Sequence, residues 1–276
     1  MTPECVWPVA AMLGEGPLWS AAEQALWFVD IKKNHIHRYT PATGARRTYD
    51  APSSPGFLAP EGDGFIVGLR DGLYRFDPRD GSFALLHRVD VDKPGNRIND
   101  GARDAAGRLW FGTMDNAEEA ETGGLYRLDA DGPRAVETGI CITNGPCSSP
   151  DGKVFYHTDT LKKTIYAYDL GADGALSNKR VFATIEDGAG HPDGSIIDAE
   201  GCLWVGLFGG WAARRYSPDG KLISTVRFAC ANITKLAFAG PTTVYATTAW
   251  KGLDAAARAG QPLAGGLFRF ESDAAG

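Results

Sequence analysis

Two short patterns take turns along the chain. One alternates apolar with polar or aromatic residues: "IHRY" (36–39), "LYRF" (73–76), "LYRL" (125–128), "IYAY" (165–168), "ARRY" (213–216) and "LFRF" (267–270). A period of two sends successive side chains to opposite faces, which marks a half-exposed strand. The other is a turn running into an almost wholly apolar stretch: "AEQALWFVD" (22–30), "DGFIVGL" (63–69), "DAAGRLWFG" (104–112), "SPDGKVFYHTD" (149–159), "DAEGCLWVG" (198–206) and "PTTVYATT" (241–248). A run that is apolar on both faces predicts a strand buried on both sides, and we read it as the inner strand of its unit.

Each apolar strand precedes one alternating strand, and the segments between them leave room for two more. Six such units, recurring every ~40–50 residues, predict propeller blades. The chain therefore reads as all-β: a six-bladed β-propeller, four antiparallel strands per blade, with residues 1–276 as one domain. No long segment holds a 3.6-residue period, so almost no helix is expected. A ring must close or expose its edges. The last alternating strand is followed only by "ESDAAG", which leaves the final blade one outer strand short; the N-terminal "ECVWPV" (4–9) is predicted to supply it.

Composition narrows the function classes. At 276 residues the chain can bury roughly three quarters of its unfolded surface, and 35 glycines and 16 prolines suit many turns. The net charge of −6, with no Lys/Arg-rich run, argues against nucleic-acid and anionic-membrane partners. No apolar run has the ~18–20 residues of a membrane span, and the N-terminus lacks a basic signal region, so a cytoplasmic protein is expected. The five cysteines, Cys5, Cys141, Cys147, Cys202 and Cys230, form no CxxC pair and read as buried thiols.

Aligning the blades on the apolar strand exposes candidate chemistry. Asn99, Asn144 and Asp193 each lie ten positions before the first apolar residue of "LWFG", "VFYH" and "LWVG", and Glu15 lies eleven before Leu26. The matching positions of the second and sixth blades fall near Pro55 and Thr234. Asx-Gly turns explain any one of these residues. They do not explain four in one register, nor a glutamate. Equivalent positions on a propeller lie on one circle about its axis, so two carboxylates and two amide oxygens converge at one mouth. Converging carboxylates are costly unless a cation joins them, and oxygen ligands suit a hard or borderline divalent metal. Iron(II), zinc, manganese, calcium and magnesium are not distinguished by this set. His157 and Trp211, placed just after apolar strands, are candidates for lining the channel and walling a sugar pocket. No GxSxG elbow occurs.

"LGEGPLW" (13–19), "RINDG" (97–101), "GRLWFGTMD" (107–115), "GGLYRLD" (123–129), "ITNG" (142–145), "HPDGSIIDAEGCLWV" (191–205) and "AGGLFRF" (264–270) span nearly the whole chain. Together they resemble the senescence marker protein/regucalcin, gluconolactonase and luciferin-regenerating family. The resemblance implies a six-bladed propeller and a sugar-acid lactonase, xylonolactonase- or gluconolactonase-like. Its substrate would be a small sugar lactone, in a monomer or weak oligomer. It makes Glu15, Asn144 and Asp193 the ligands of one divalent metal, with Asp193 also a candidate base. Asn99 would bind water or substrate, and Arg97 would hold substrate oxygens. Animal members carry a glutamate shortly after "GTM"; here "GTMDNAEEAETGG" is longer, and either Asp115, Glu118 or Glu119 replaces it or none does, with Asp115 taken as a candidate substrate-binding residue. The competing readings are a phosphotriesterase-like or other metal esterase and a non-catalytic metal-binding propeller.

Overall fold

The computed structural model describes residues 1–276. Twenty-four strands form six four-stranded antiparallel sheets. After β1 (Glu4–Trp7), the first blade holds β2 (Gly14–Ser20), β3 (Ala25–Asp30), β4 (His35–Thr40) and β5 (Ala45–Asp50). The second holds β6 (Phe57–Glu61), β7 (Gly64–Leu69), β8 (Gly72–Asp77) and β9 (Ser82–Arg88). The third holds β10 (Asn96–Arg103), β11 (Leu109–Asp115), β12 (Gly123–Asp129) and β13 (Gly132–Ile140). The fourth holds β14 (Thr143–Ser148), β15 (Val154–Asp159), β16 (Thr164–Leu170) and β17 (Leu176–Thr184). The fifth holds β18 (His191–Ile197), β19 (Leu203–Phe208), β20 (Ala212–Tyr216) and β21 (Leu222–Arg227). The sixth holds β22 (Asn232–Phe238), β23 (Thr243–Ala249) and β24 (Leu267–Glu271), with the one short helix, α1 (Ala255–Gly260), before β24. That helix is not long enough to cross a membrane.

The final blade is completed as its missing strand required. β1 pairs with β24, Glu4 opposite Arg269 and Cys5 opposite Phe268, giving the order β1-β24-β23-β22. Trp7 is buried there, its ring edge-on to Phe28 at 5.5 Å. The ring thus has no open edge at its seam.

One expectation is corrected. The apolar strand is second from the axis, not innermost. The first strands of neighbouring blades, β2, β6, β10, β14, β18 and β22, pack side by side around the bore. They look less strand-like because they face a polar channel. The apolar strands β3 and β11 are buried at every residue, flanked by strands in the sheet and by the neighbouring blades above and below. Outer strands such as β9 are largely exposed, so polarity rises away from the core.

Two of the turns before apolar strands share a device. Asp104 accepts the amides of Ala106 and Arg108 and the Trp110 indole N–H; Asp198 accepts those of Glu200 and Cys202 and the Trp204 indole N–H. Each aspartate thus closes the turn and satisfies a fully buried tryptophan six residues on. All five cysteines are free, and only Cys5 is partly exposed.

Candidate active site

The innermost strands do not pair smoothly with their neighbours. Register slips between Glu15 and Leu18, Ile98 and Asp100, Asn144 and Cys147, Pro192 and Ser195, and Ile233 and Leu236. Only β6 pairs residue for residue, Phe57 opposite Gly68 through Glu61 opposite Gly64. An extra residue in one strand bends it and re-aims its side chain. Glu15, Asn99, Asn144 and Asp193 all sit at such bulges. Gly16 and Gly145, at φ +54° and +57°, supply the left-handed backbone that the first and third of these need directly after the functional residue.

These four side chains and Arg97 line one cavity of about 250 Å³ at one end of the bore. All five residues are at most 6% exposed. The Glu15 and Asp193 carboxyls face the same cavity, near enough for Glu15 to raise the Asp193 pKa. Burial, followed by Asp100 for Glu15 and by Glu15 for Asp193, pushes both well above the usual carboxylate range. The Gly16 amide donates to Glu15 Oε2 at 2.9 Å. Asn144 Nδ2 donates to Thr160 Oγ1 at 2.9 Å, which turns its Oδ1 inward, where it accepts from Asn99 Nδ2 at 3.0 Å. Asn99 also donates to Thr143 O, and its Oδ1 accepts from Arg97 Nη1 at 2.7 Å. Arg97 has no carboxylate partner, its buried Nε has no partner at all, and burial lowers its pKa to about 10.

This donor set fits a divalent cation. Burial raises both carboxyls and Glu15 raises Asp193 further, a cost that a divalent cation held between them would offset. No group of three His, Cys, Asp or Glu side chains is arranged to hold a metal ion, and Asn144 presents an amide oxygen beside the two carboxyls. A larger cavity, about 680 Å³, opens at the other ends of the same strands. Its acids, Asp104 and Asp198, are already committed to tryptophans and turn amides.

Three expected site residues lie elsewhere. Asp115 ends β11, and its oxygens accept the amides of Ala117, Glu119 and Ala120, which holds its carboxyl below the usual range. It shapes the loop that brings Glu118 to the cavity, where Glu118 pairs with Lys251. His157 is 1% exposed inside its blade, with both ring nitrogens unpartnered, and burial lowers its pKa to about 4. Trp211 is 41% exposed on the β19–β20 turn, at φ +59°, and Phe208 walls the cavity instead. His191 lines the cavity, with Nδ1 3.3 Å from Thr160 O.

Asp100 reaches well beyond its own turn. Its Oδ1 accepts the Gly101 amide at 2.7 Å, but it also meets Lys235 Nζ at 2.6 Å, and its Oδ2 accepts the Gly145 amide at 3.0 Å. Lys235 and Lys251 escaped the sequence reading. The signal for Lys235 was one charge within the otherwise uncharged inner strand "NITKLAF".

A closed ring of six four-stranded blades, with two carboxyls and two amides converging at one mouth of its bore, defines the class: a six-bladed propeller with a buried polar site at one end. The chain belongs to the SMP-30/Gluconolactonase/LRE-like family, whose model matches residues 13–250. It is 34% identical to a 6-deoxy-6-sulfogluconolactonase of Pseudomonas putida, covering 97% of this chain and 94% of that one. It is 35% identical to an L-arabinolactonase of Azospirillum brasilense, over 96% and 90% of the two chains. A calcium-binding protein, regucalcin, from Agrobacterium tumefaciens superposes with a TM-score of 0.93 at 30% identity, covering 98% and 93%.

Proposed function

We infer that this chain hydrolyses the ring ester of a sugar-acid lactone, assisted by one divalent cation held by Glu15, Asn144 and Asp193. The observation that carries the reading is the buried Glu15–Asp193 pair beside inward-turned amide oxygens. Support also comes from whole-length similarity to sugar lactonases. The cavity, about 250 Å³, is below the ~300 Å³ of usual drug-sized ligand pockets and suits a single sugar ring. Pentono- and hexonolactones are the substrates to compare.

Bound there, a divalent cation supplies Lewis acidity toward the ester carbonyl and toward water. The chain's own groups do the rest. Asp193 takes a proton from the attacking water as its oxygen bonds to the carbonyl carbon. The ring C–O bond then breaks, and the proton passes to the departing ring oxygen, leaving the open-chain acid. Arg97 holds sugar oxygens and the charge that develops on the carbonyl oxygen, and Asn99, whose amide hydrogens go to Thr143 O and Asn144 Oδ1, offers its Oδ1 to a sugar hydroxyl. Glu118, which lines the cavity paired with Lys251, meets a sugar hydroxyl in this reading.

The test is elemental analysis of the purified chain, paired with hydrolysis assays on pentonolactones, hexonolactones, simple esters and phosphotriesters. Assays run before chelation, after it, and after re-addition of each metal. We expect lactone turnover that chelation abolishes and one metal restores. Full lactone turnover by metal-free protein, or turnover of esters without lactones, would overturn it.

A further inference from the structure

Below the site the bore is crossed by an ion pair. Asp100 belongs to β10 of the third blade and Lys235 to β22 of the sixth, on opposite sides of the ring. Their 2.6 Å contact spans the axis, and both side chains are nearly inaccessible, at 1% and 6% exposure. Two further contacts tie this strut to the ligand-bearing bulges. Asp100 Oδ2 accepts the amide of Gly145, the residue after Asn144. The aliphatic stem of Lys235 runs against Gly194, the residue after Asp193; a Cβ at Gly194 would fall 2.5–2.6 Å from Lys235 Cβ, Cγ and Cδ. Lys235 also lines the 680 Å³ cavity of the far face, so the pair marks the floor between the two ends of the bore.

A buried lysine and aspartate are expensive to desolvate, and hydrophobic residues of similar volume often stabilise as well. Stability is therefore a poor account of the pair. Geometry is a better one. We propose that Lys235 is a positioning residue: held by Asp100 across the bore, it braces the Gly145 and Gly194 bulges and so sets the spacing of Asn144 and Asp193. The proposal rests on the site assignment above. Lys235 touches neither substrate nor the reacting atoms. It acts through two neighbouring backbones, as outer partners do when they orient metal ligands.

The experiment uses the full chain and Lys235→Met, which keeps the stem and removes the charge. Divalent-ion affinity is measured by calorimetry with manganese, zinc and calcium, and amide exchange at Gly145 and Gly194 by NMR. We expect Lys235→Met to remain folded, to bind metal about 10–100-fold more weakly at unchanged stoichiometry, and to exchange both amides faster while β15 amides keep their protection. Should Lys235→Met fail to fold, the double variant Asp100→Asn/Lys235→Met carries the same comparison, because it leaves no buried charge unpaired. A folded variant with wild-type amide exchange and metal affinity within twofold would overturn the proposal. Wild-type protein that binds no divalent ion would defeat the site assignment instead, and the exchange rates at Gly145 and Gly194 would still decide whether Lys235 braces them.

Discussion

The second and fourth blades share strand order and hairpin connections, yet only the fourth turns a polar side chain, Asn144, into the cavity at the mouth. β6 pairs with β7 without interruption; β14 skips between Asn144 and Cys147. Their second strands differ in step. Gly68 lies opposite Phe57 where Thr158 lies opposite Asn144, so His157 occupies the place of Val67. The plain blade is a structural spacer. The bulged one spends ladder hydrogen bonds to aim an amide at the axis. A bulge lets an inner strand turn a side chain toward the mouth, and the residue type decides what it brings there: β22 is bulged too, but offers no acid or amide at that position.

Four experiments break or sharpen that contrast. The largest effect is expected from Asp193→Ala or Glu15→Ala, which should abolish both stoichiometric metal and lactone turnover, measured by elemental analysis and assay. A fully active, metal-free Asp193→Ala protein would end the proposed mechanism. Deleting residues 1–9 should come next. It strips β24 of its outer partner and removes buried Trp7, a loss of about 3–5 kcal/mol that lowers Tm by about 10 °C or more in calorimetry.

Third is a matched pair of glycines. Gly145 and Gly62 both sit at φ +57°. A Cβ on Gly145 would meet Ser195 Oγ, Cβ and N at 2.7–3.0 Å, whereas Gly62 has nothing within 4 Å. Gly62→Ala should lose only the left-handed backbone term, about 1 kcal/mol, while Gly145→Ala should lose about 2–4 kcal/mol and weaken metal binding. Chemical denaturation and calorimetry read both. Equal losses would show that the bulge is not tightly packed.

The smallest effect concerns acid. His157 titrates near 4 in the folded chain against 6.5 as its ordinary value, because burial opposes its charge. Between those values the unfolded chain binds a proton that the folded chain refuses, so stability falls as pH drops from about 6.5 and the loss levels off below about 4. At pH 5 the term is about 2 kcal/mol. His157→Val, copying the second blade, should flatten that slope relative to wild type in denaturation series at pH 7 and 5. An unchanged difference between the two would mean that His157 is protonated in place.

Much of this was legible because it is periodic. Repeated turn-plus-apolar runs predicted the blades, and the residues preceding them in register predicted Glu15, Asn99, Asn144 and Asp193, which converge. The innermost strand was misplaced because hydrophobicity ranks strands by burial, and the second strand, covered on every side, outranks the one that faces a polar bore. Asp115, His157 and Trp211 were drawn in by sequence proximity, but backbone amides, strand alternation and a left-handed turn direct them elsewhere. Lys235 was illegible for a different reason. A charged side chain reads as solvated, and its partner Asp100 lies 135 residues away.

The seam at β1 and β24 sets a timetable. Along the chain β1 leaves the ribosome before every other strand and β24 after all the rest. The sixth blade therefore cannot assemble until synthesis has passed Glu271. Thr234 Oγ1, donating to Gly14 O at 2.5 Å, is part of what holds Glu15's strand to its neighbour across that seam. Glu15 and Asp193 meet only when the ring shuts. A nascent propeller of four or five blades would carry the two carboxyls apart, so the cavity they line takes shape only when the last strand arrives.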